Sequence, residues 1–372
     1  MIEHIPYRRN TEQAAEVRFE PLEVGLAHFQ VSDSAREDIS TGTRRFLVSA
    51  FYPAATSEGN SARLSDLFGE IASSEFARQT GLSIEDAQQL QAFAESVSLQ
   101  CSNDAAFSPR ATNCPVLIYY PGGQSHRLSN AVLCRQLAQR GYVVLALDAP
   151  RDAPFVVFPE GQVVGQGMLP DECYIWPRIA DIRCLLDVLP GLQSSGLFKD
   201  KLDLQKIGMV GHSRGGYLSN IMAIEDERVS AAVNMDGFLW GYYDPGKTGL
   251  KKHSAEFQEK VKTTNKPLLR LCGEQGSAED AEAQFKNEAN DWPGDLIYCS
   301  LAGFQHGTFG SIPWLNGELK NLKQSILQPP PSQQILDLPA AIIGEFFDGH
   351  FNERDVVIPS EVKPQVQAYF SK

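Results

Sequence analysis

A serine between glycines, at the end of an apolar run, is the feature of this 372-residue chain with the clearest chemical potential. Gly211-His212-Ser213-Arg214-Gly215-Gly216 follows Lys206-Ile207-Gly208-Met209-Val210, and residues 217–224 read as a helix. This pattern puts Ser213 on a sharp strand-to-helix turn, where small neighbours let strand and helix approach and the hydroxyl projects outward. A serine hydroxyl is a weak nucleophile. It needs a general base, and the base needs an acid that orients it. Three histidines follow Ser213. His253 lies in a polar, Lys-rich stretch and His350 lies past the last predicted helix, whereas His306 follows the predicted strand 296–301. That is the sheet edge where open α/β proteins gather functional residues, so His306 is the expected base. For the acid, Asp236 ends the predicted strand 231–235, while Glu274 and Asp280 follow the predicted strand 267–271. The residues alone favour Asp236 and leave the other two open.

Attack on a carbonyl also requires donors for the developing oxyanion. The backbone N–H of Arg214, first in the helix after the nucleophile, is one expected donor. The other is expected from Tyr120-Pro121-Gly122-Gly123-Gln124, where Pro121 has no N–H and Gly123 permits close approach, so Gly123 is assigned. Gln124, Trp176, Phe238 and Trp240 are expected to line a substrate pocket, with Trp314 nearby; His126 reads equally well as solvent-exposed. The ring of His212 is expected to point away from the site. Such chemistry calls for no metal and no organic cofactor.

These residues need elements to position them. Apolar runs at 24–31 and 44–52, separated by a turn-rich stretch, predict an N-terminal antiparallel hairpin. From residue 115 the pattern alternates: strands at 115–120, 142–147, 207–210, 231–235, 267–271 and 296–301, with helical stretches between them. One helix is expected near 130–140, another near 340–347, and Ile175, Ile179, Ile182, Leu185, Leu186 and Leu189 have helical spacing. Such alternation predicts an α/β fold with a mostly parallel central sheet and helices on both faces. Segment 54–112, with a capping signal at Ser83-x-x-Asp86, reads as a helical insertion, and 150–174 as a lid-like loop; together they are expected to cap a single domain spanning 1–372.

Composition narrows the classes further. The net charge of −13 opposes nucleic acid and anionic membrane surfaces as partners. No apolar run reaches the roughly 18 to 20 residues of a membrane span, and no signal-peptide pattern opens the chain. The seven cysteines are scattered without a CxxC pair, which argues against a zinc site or disulfide framework and for a reducing, cytoplasmic location. Nothing in the composition sets the oligomeric state.

The chain resembles the platelet-activating-factor acetylhydrolase family of α/β-hydrolases, close to the dienelactone-hydrolase-like group. The likeness rests on Val24-Gly25 through Asp33 and Arg36, on Arg45-Phe46-Leu47-Val48-Ser49-Ala50-Phe51-Tyr52-Pro53, and on the Gly-His-Ser-x-Gly-Gly elbow. It rests also on an Asp 23 residues after the serine and on a His in a loop after the last core strand. The resemblance implies the α/β-hydrolase fold, moves Asp236 ahead of Glu274, and implies a serine carboxylic-ester hydrolase. The expected substrate is a small or short-chain ester, a phospholipid-like one included. Acyl transfer, amide or lactone hydrolysis with the same triad, and a non-catalytic hydrolase-fold binding protein are the alternatives. Where the family often has His-Gly in the oxyanion loop, this chain has Pro121-Gly122, which removes a side chain but keeps the Gly123 donor.

Overall fold

The computed structural model describes residues 20–38, 42–55, 61–67, 73–148, 150–165, 172–240, 254–310 and 333–372. His253, Trp314 and portions of the 54–112 and 150–174 segments lie outside these residues. The chain divides into two compact units, Pro21–Leu204 with Gly310–Pro330, and Gln205–Phe309 with Pro331–Lys372 and Met1–Glu20.

In the first unit, β1 (Glu23–Asp38) and β2 (Gly42–Ala54) form the predicted antiparallel hairpin, with Val24 opposite Pro53 and Val31 opposite Phe46. The 54–112 stretch carries strand as well as helix: β3 (Ser61–Arg63), α1 (Ser74–Thr80), α2 (Ile84–Ser96) and β4 (Ser98–Asn103). The Ser83 hydroxyl accepts the Asp86 N–H at 3.0 Å and so caps α2, as its capping signal predicts. In β4, Leu99 and Cys101 turn inward between exposed Ser98 and Gln100, an alternation too short to stand out in the sequence. β4 pairs parallel with β1 and antiparallel with β3.

Further along, β5 (Cys114–Tyr120) and β6 (Val143–Leu147) run parallel on either side of α3 (Ala131–Gln139) in sequence. The strand order here is β5-β6-β2-β1-β4-β3. The segment read as a loop contains a small hairpin, β7 (Phe155–Val157) with β8 (Val163–Gly165), because β-branched runs flank a turn that Gly161 enters at φ +84°. Leu47, Ala153, Val156, Phe158 and Val164 pack around it.

The helix α4 (Glu172–Ser194) buries Ile179, Ile182, Leu185, Leu186 and Leu189 along the predicted stripe. It also buries Asp181 completely. Arg44 donates to both Asp181 oxygens, at 3.0 and 2.5 Å, and Arg36 adds a third bond at 2.8 Å while gripping Asp33 at 2.6 Å. Asp33 and Arg36, part of the family likeness, thus lock the hairpin onto α4.

The second unit is built as predicted from parallel strands joined by helices. β9 (Leu202–His212), α5 (Arg214–Glu225), β10 (Val229–Met235), α6 (Ala255–Thr263), β11 (Leu268–Cys272), α7 (Ala278–Asp291) and β12 (Leu296–Leu301) come in order, then α8 (Gln333–Phe351) and β13 (Val366–Ser371). β9, β10, β11 and β12 are parallel neighbours and β13 closes the order antiparallel to β12. Register sets Met235 beside His212 on one side and Leu271 on the other. The C-terminal ends of β9 and β10 therefore meet at one edge, and the residues just beyond them are brought together there. No helix among the described residues is long and apolar enough to cross a membrane.

Replacing Asp181 with Asn leaves the guanidinium groups of Arg36, Arg44 and Arg178 without their shared counter-charge. We expect this to cost about 3–5 kcal/mol in urea unfolding. Glu282→Gln, which breaks the exposed 2.5 Å pair with Lys286, should shift stability by no more than about 0.5 kcal/mol.

Candidate active site

Ser213 follows β9 and caps α5 with φ +55° and ψ −117°, a conformation that L-residues avoid. The neighbourhood holds it there. Its N–H donates to the Met235 carbonyl at 2.8 Å, and its own carbonyl accepts from Tyr217 at 3.1 Å. The glycines explain why helix and strand can come so close. A Cβ on Gly211 would lie 2.1 Å from the Gly215 backbone, and one on Gly216 would lie 2.3 Å from the Asn234 side chain.

One residue past β10, Asp236 turns at φ +53°, with its N–H bonded to the Leu271 carbonyl at 2.8 Å. One carboxylate oxygen accepts the Gly273 N–H at 3.0 Å, and the other lies 2.6 Å from His306 Nδ1. A carboxylate only accepts, so Nδ1 carries the proton. His306 Nε2, left with its lone pair, lies 3.0 Å from Ser213 Oγ and accepts the hydroxyl proton. Burial pushes the Asp236 carboxyl up. The bonds from His306 and the Gly273 N–H, with the charges of His306 and Arg270, outweigh that and hold it below its ordinary value. The three groups stand in one unit in the order and at the distances that a nucleophile, a general base and an orienting anion require.

The other candidate acids have different work. Glu274 accepts the Gly303 N–H at 2.8 Å, and its own N–H donates to the Phe304 carbonyl at 2.7 Å, so it braces the loop that bears His306. The Asp280 N–H donates to Ser277, the cap of α7. His350 lies in the last turn of α8, its ring 5.6 Å from that of Phe351. The ring of His212 does not point away from the site: it lies 4.8 Å from the ring of His306, and its Nε2 lies 2.9 Å from the His306 carbonyl oxygen.

Arg214 opens α5, so its N–H is one of those that lack an intrahelical acceptor. Phe238 is exposed two residues beyond Asp236, whereas Trp240 is buried, stacked on Trp292 at 5.6 Å and edge-on to Phe257 at 5.9 Å. Trp240 therefore packs among core aromatic rings. Gly123, Gln124 and Trp176 belong to the other unit. Gly123 is half-buried, Gln124 turns at φ +57° with its N–H on Asp152 at 3.1 Å, and Trp176 is exposed on α4. His126 is buried beside Arg127 and Asp148, and its proton affinity is lowered by burial and by Arg127.

Asn234 is a positioning residue that the spacing did not reveal. Fully buried on β10, it accepts the Gly237 N–H at 2.8 Å and donates to the Phe238 carbonyl at 3.2 Å, shaping the turn that presents Asp236. An apolar strand with one Asn offers only a weak sign of this. Among the described residues, no group of three or more His, Cys, Asp or Glu is placed to hold a metal.

Comparison with known proteins gives the fold. The chain has the α/β-hydrolase fold: it superposes on a ferulic acid esterase from Streptomyces cinnamoneus with a TM-score of 0.66 and 23% identity, covering 95% of this chain and 97% of the other. A probable 1-alkyl-2-acetylglycerophosphocholine esterase of Arthroderma benhamiae is 32% identical over 142 residues, 37% of this chain and 34% of that protein. The aligned part thus spans about a third of that curated relative. No family model matches the chain.

Asp236→Asn offers an amide that cannot both keep the Nδ1 proton in place and stabilise an imidazolium. Its rate of labelling at Ser213 by a fluorophosphonate should fall about 10³- to 10⁴-fold. Asp280→Asn should label at the wild-type rate.

Proposed function

We propose that the chain is a serine carboxylic-ester hydrolase working through an acyl-enzyme. The observation that carries this reading is the continuous set of contacts from Asp236 through His306 to Ser213, at 2.6 and 3.0 Å. Ser213 Oγ attacks the ester carbonyl carbon as its proton passes to His306 Nε2, and Asp236 stabilises the imidazolium. The Arg214 N–H serves the oxyanion, and Gly123 is the second donor on the sequence pattern. Collapse of the tetrahedral intermediate expels the alcohol, which takes the proton from His306. Water, deprotonated by the same imidazole, then releases the acid and restores Ser213. The His306 side chain is 56% exposed, which gives water access to the base and favours hydrolysis over transfer to another acceptor.

The substrate proposed is a small or short-chain ester. The name of the Arthroderma relative, an acetylglycerophosphocholine esterase, supports a short acyl group and a phospholipid-like alcohol; that of the Streptomyces protein, a ferulic acid esterase, points to aromatic acids instead. The placement in the cytoplasm rests on the cysteines: Cys101, Cys114, Cys134, Cys184, Cys272 and Cys299 are all unpaired.

Fluorophosphonate labelling tests the reaction class. Wild type should be labelled on Ser213 and should hydrolyse p-nitrophenyl acetate faster than longer-chain esters. Ser213→Ala should take no label and lose roughly 10⁵- to 10⁶-fold in turnover. An unlabelled wild type, or an equally labelled Ser213→Ala, defeats the reading.

A further inference from the structure

The base of the proposed triad sits in an unusual mechanical position. His306 follows β12 in a loop, and its side chain is more exposed than buried, so packing does little to fix the ring. Hydrogen bonds must do so. Asp236 holds the ring at Nδ1, which fixes one end of a side chain with two rotatable bonds. The main chain at His306 must be fixed separately, or the ring swings about Asp236 and leaves Ser213.

The surrounding loop is braced away from His306 itself. Glu274 grips Gly303 and Phe304, and Gln305 and Thr308 bond to each other through a 2.8 Å backbone bond and a 3.0 Å bond from the Gln305 N–H to Thr308 Oγ1. The rings of Phe304 and Phe309 pack at 5.2 Å beneath. At the His306 carbonyl, the donor is His212, the last residue of β9 and the neighbour of the nucleophile. His212 is 5% exposed, and its ring is tilted 38° against that of His306. It also faces the ring of Phe309 at 6.0 Å. A carbonyl oxygen cannot donate, so His212 Nε2 bears the proton in this contact.

We propose that His212 is a positioning residue: its Nε2–H, bonded to the His306 carbonyl, ties the strand that carries the nucleophile to the loop that carries the base. Residue 212 is covalently bonded to Ser213, so the distance between the two reacting groups is set through one side chain. The inference rests on the esterase reading of the same site. Its electrostatics agree. Burial and the neighbouring His306 push His212 down to about 4, against the opposing pull of Asp236. His212 is therefore an uncharged donor at neutral pH and adds no second cation beside the imidazolium that forms during attack. A lysine or arginine would donate equally well and would oppose that imidazolium.

The test uses three proteins, wild type, His212→Gln and His212→Leu, with concentrations set by fluorophosphonate titration of the reactive serine so that any misfolded fraction drops out. Gln places an N–H at about the reach of Nε2, whereas Leu keeps bulk and removes the donor. With p-nitrophenyl acetate, His212→Leu should lose on the order of 10- to 100-fold in kcat with little change in KM, the size of effect expected from a small misplacement of a catalytic group. His212→Gln should recover most of that loss. A packing role alone gives the reverse order, with Leu tolerated and Gln impaired. Wild-type kcat in His212→Leu overturns this proposal and leaves the esterase reading intact, whereas wild type that neither labels nor turns over defeats both. A measurement on the unmutated protein stands beside these. ¹⁵N-histidine NMR, with the His212 signals assigned by their loss in both variants, should find that imidazole neutral and in the Nε2–H form from pH 8 down to about 5; an Nδ1–H form at that residue overturns the hydrogen bond and the proposal.

Discussion

Serine at φ +55° is the constraint on which the second unit is organised. A backbone in that region is strained for any residue with a Cβ and persists only where its surroundings over-determine it. Here the Met235 carbonyl holds the Ser213 N–H, and Gly211 and Gly216 leave no atoms where helix and strand must touch. Asn234 fills the space under Gly216 and at the same time fixes the next turn. The strained serine and the turn bearing Asp236 are thus two outputs of one packing arrangement between β9, α5 and β10. Disturbing either glycine disturbs both.

Around that arrangement the charges are divided by job. Three carboxylates lie near the ends of β10 and β11 in sequence, and their spacing alone does not tell them apart. Asp236 comes one residue after its strand, within reach of the imidazole and of the Gly273 N–H. Glu274 comes two residues after β11, and its side chain reaches the backbone of the loop that bears His306. Asp280 stands in the first turn of a helix whose cap is Ser277. Distance from the strand end decides which carboxylate meets the ring.

Much of this was legible in the residues. The elbow, the strand before it and the helix after it share one short window. The register of parallel strands gathers the turns beyond their C-terminal ends at one edge, so Ser213, Asp236 and His306 stood out. The hairpin β1–β2 was legible for a related reason: long apolar runs around a turn. The features that stayed hidden depend on tertiary context. The direction of the His212 ring is set by a loop at a sequence separation of 94. The contacts of Trp240 with Trp292 and Phe257 join residues far apart in the chain, so its burial among them is not written in its own window. β7 and β8 are only three residues each, and the Pro and Gly around them mimic a loop. β13 is six residues of mixed polarity that become a strand by pairing with β12.

That last strand reaches further than its length suggests. Gln367 on β13 accepts from the Gln275 N–H at 2.9 Å and from Ser300 at 3.1 Å, and donates to the Gln275 carbonyl at 2.7 Å. The turn with Glu274, which braces the loop of His306, is therefore pinned by a residue 92 positions later in the chain. Closing a contact over such a span costs loop entropy, which the pairing of β13 with β12 must offset. The two halves of the site thus depend on different parts of the chain: the turn of Ser213 on the packing of β9, α5 and β10, and the loop of His306 on the strand β13.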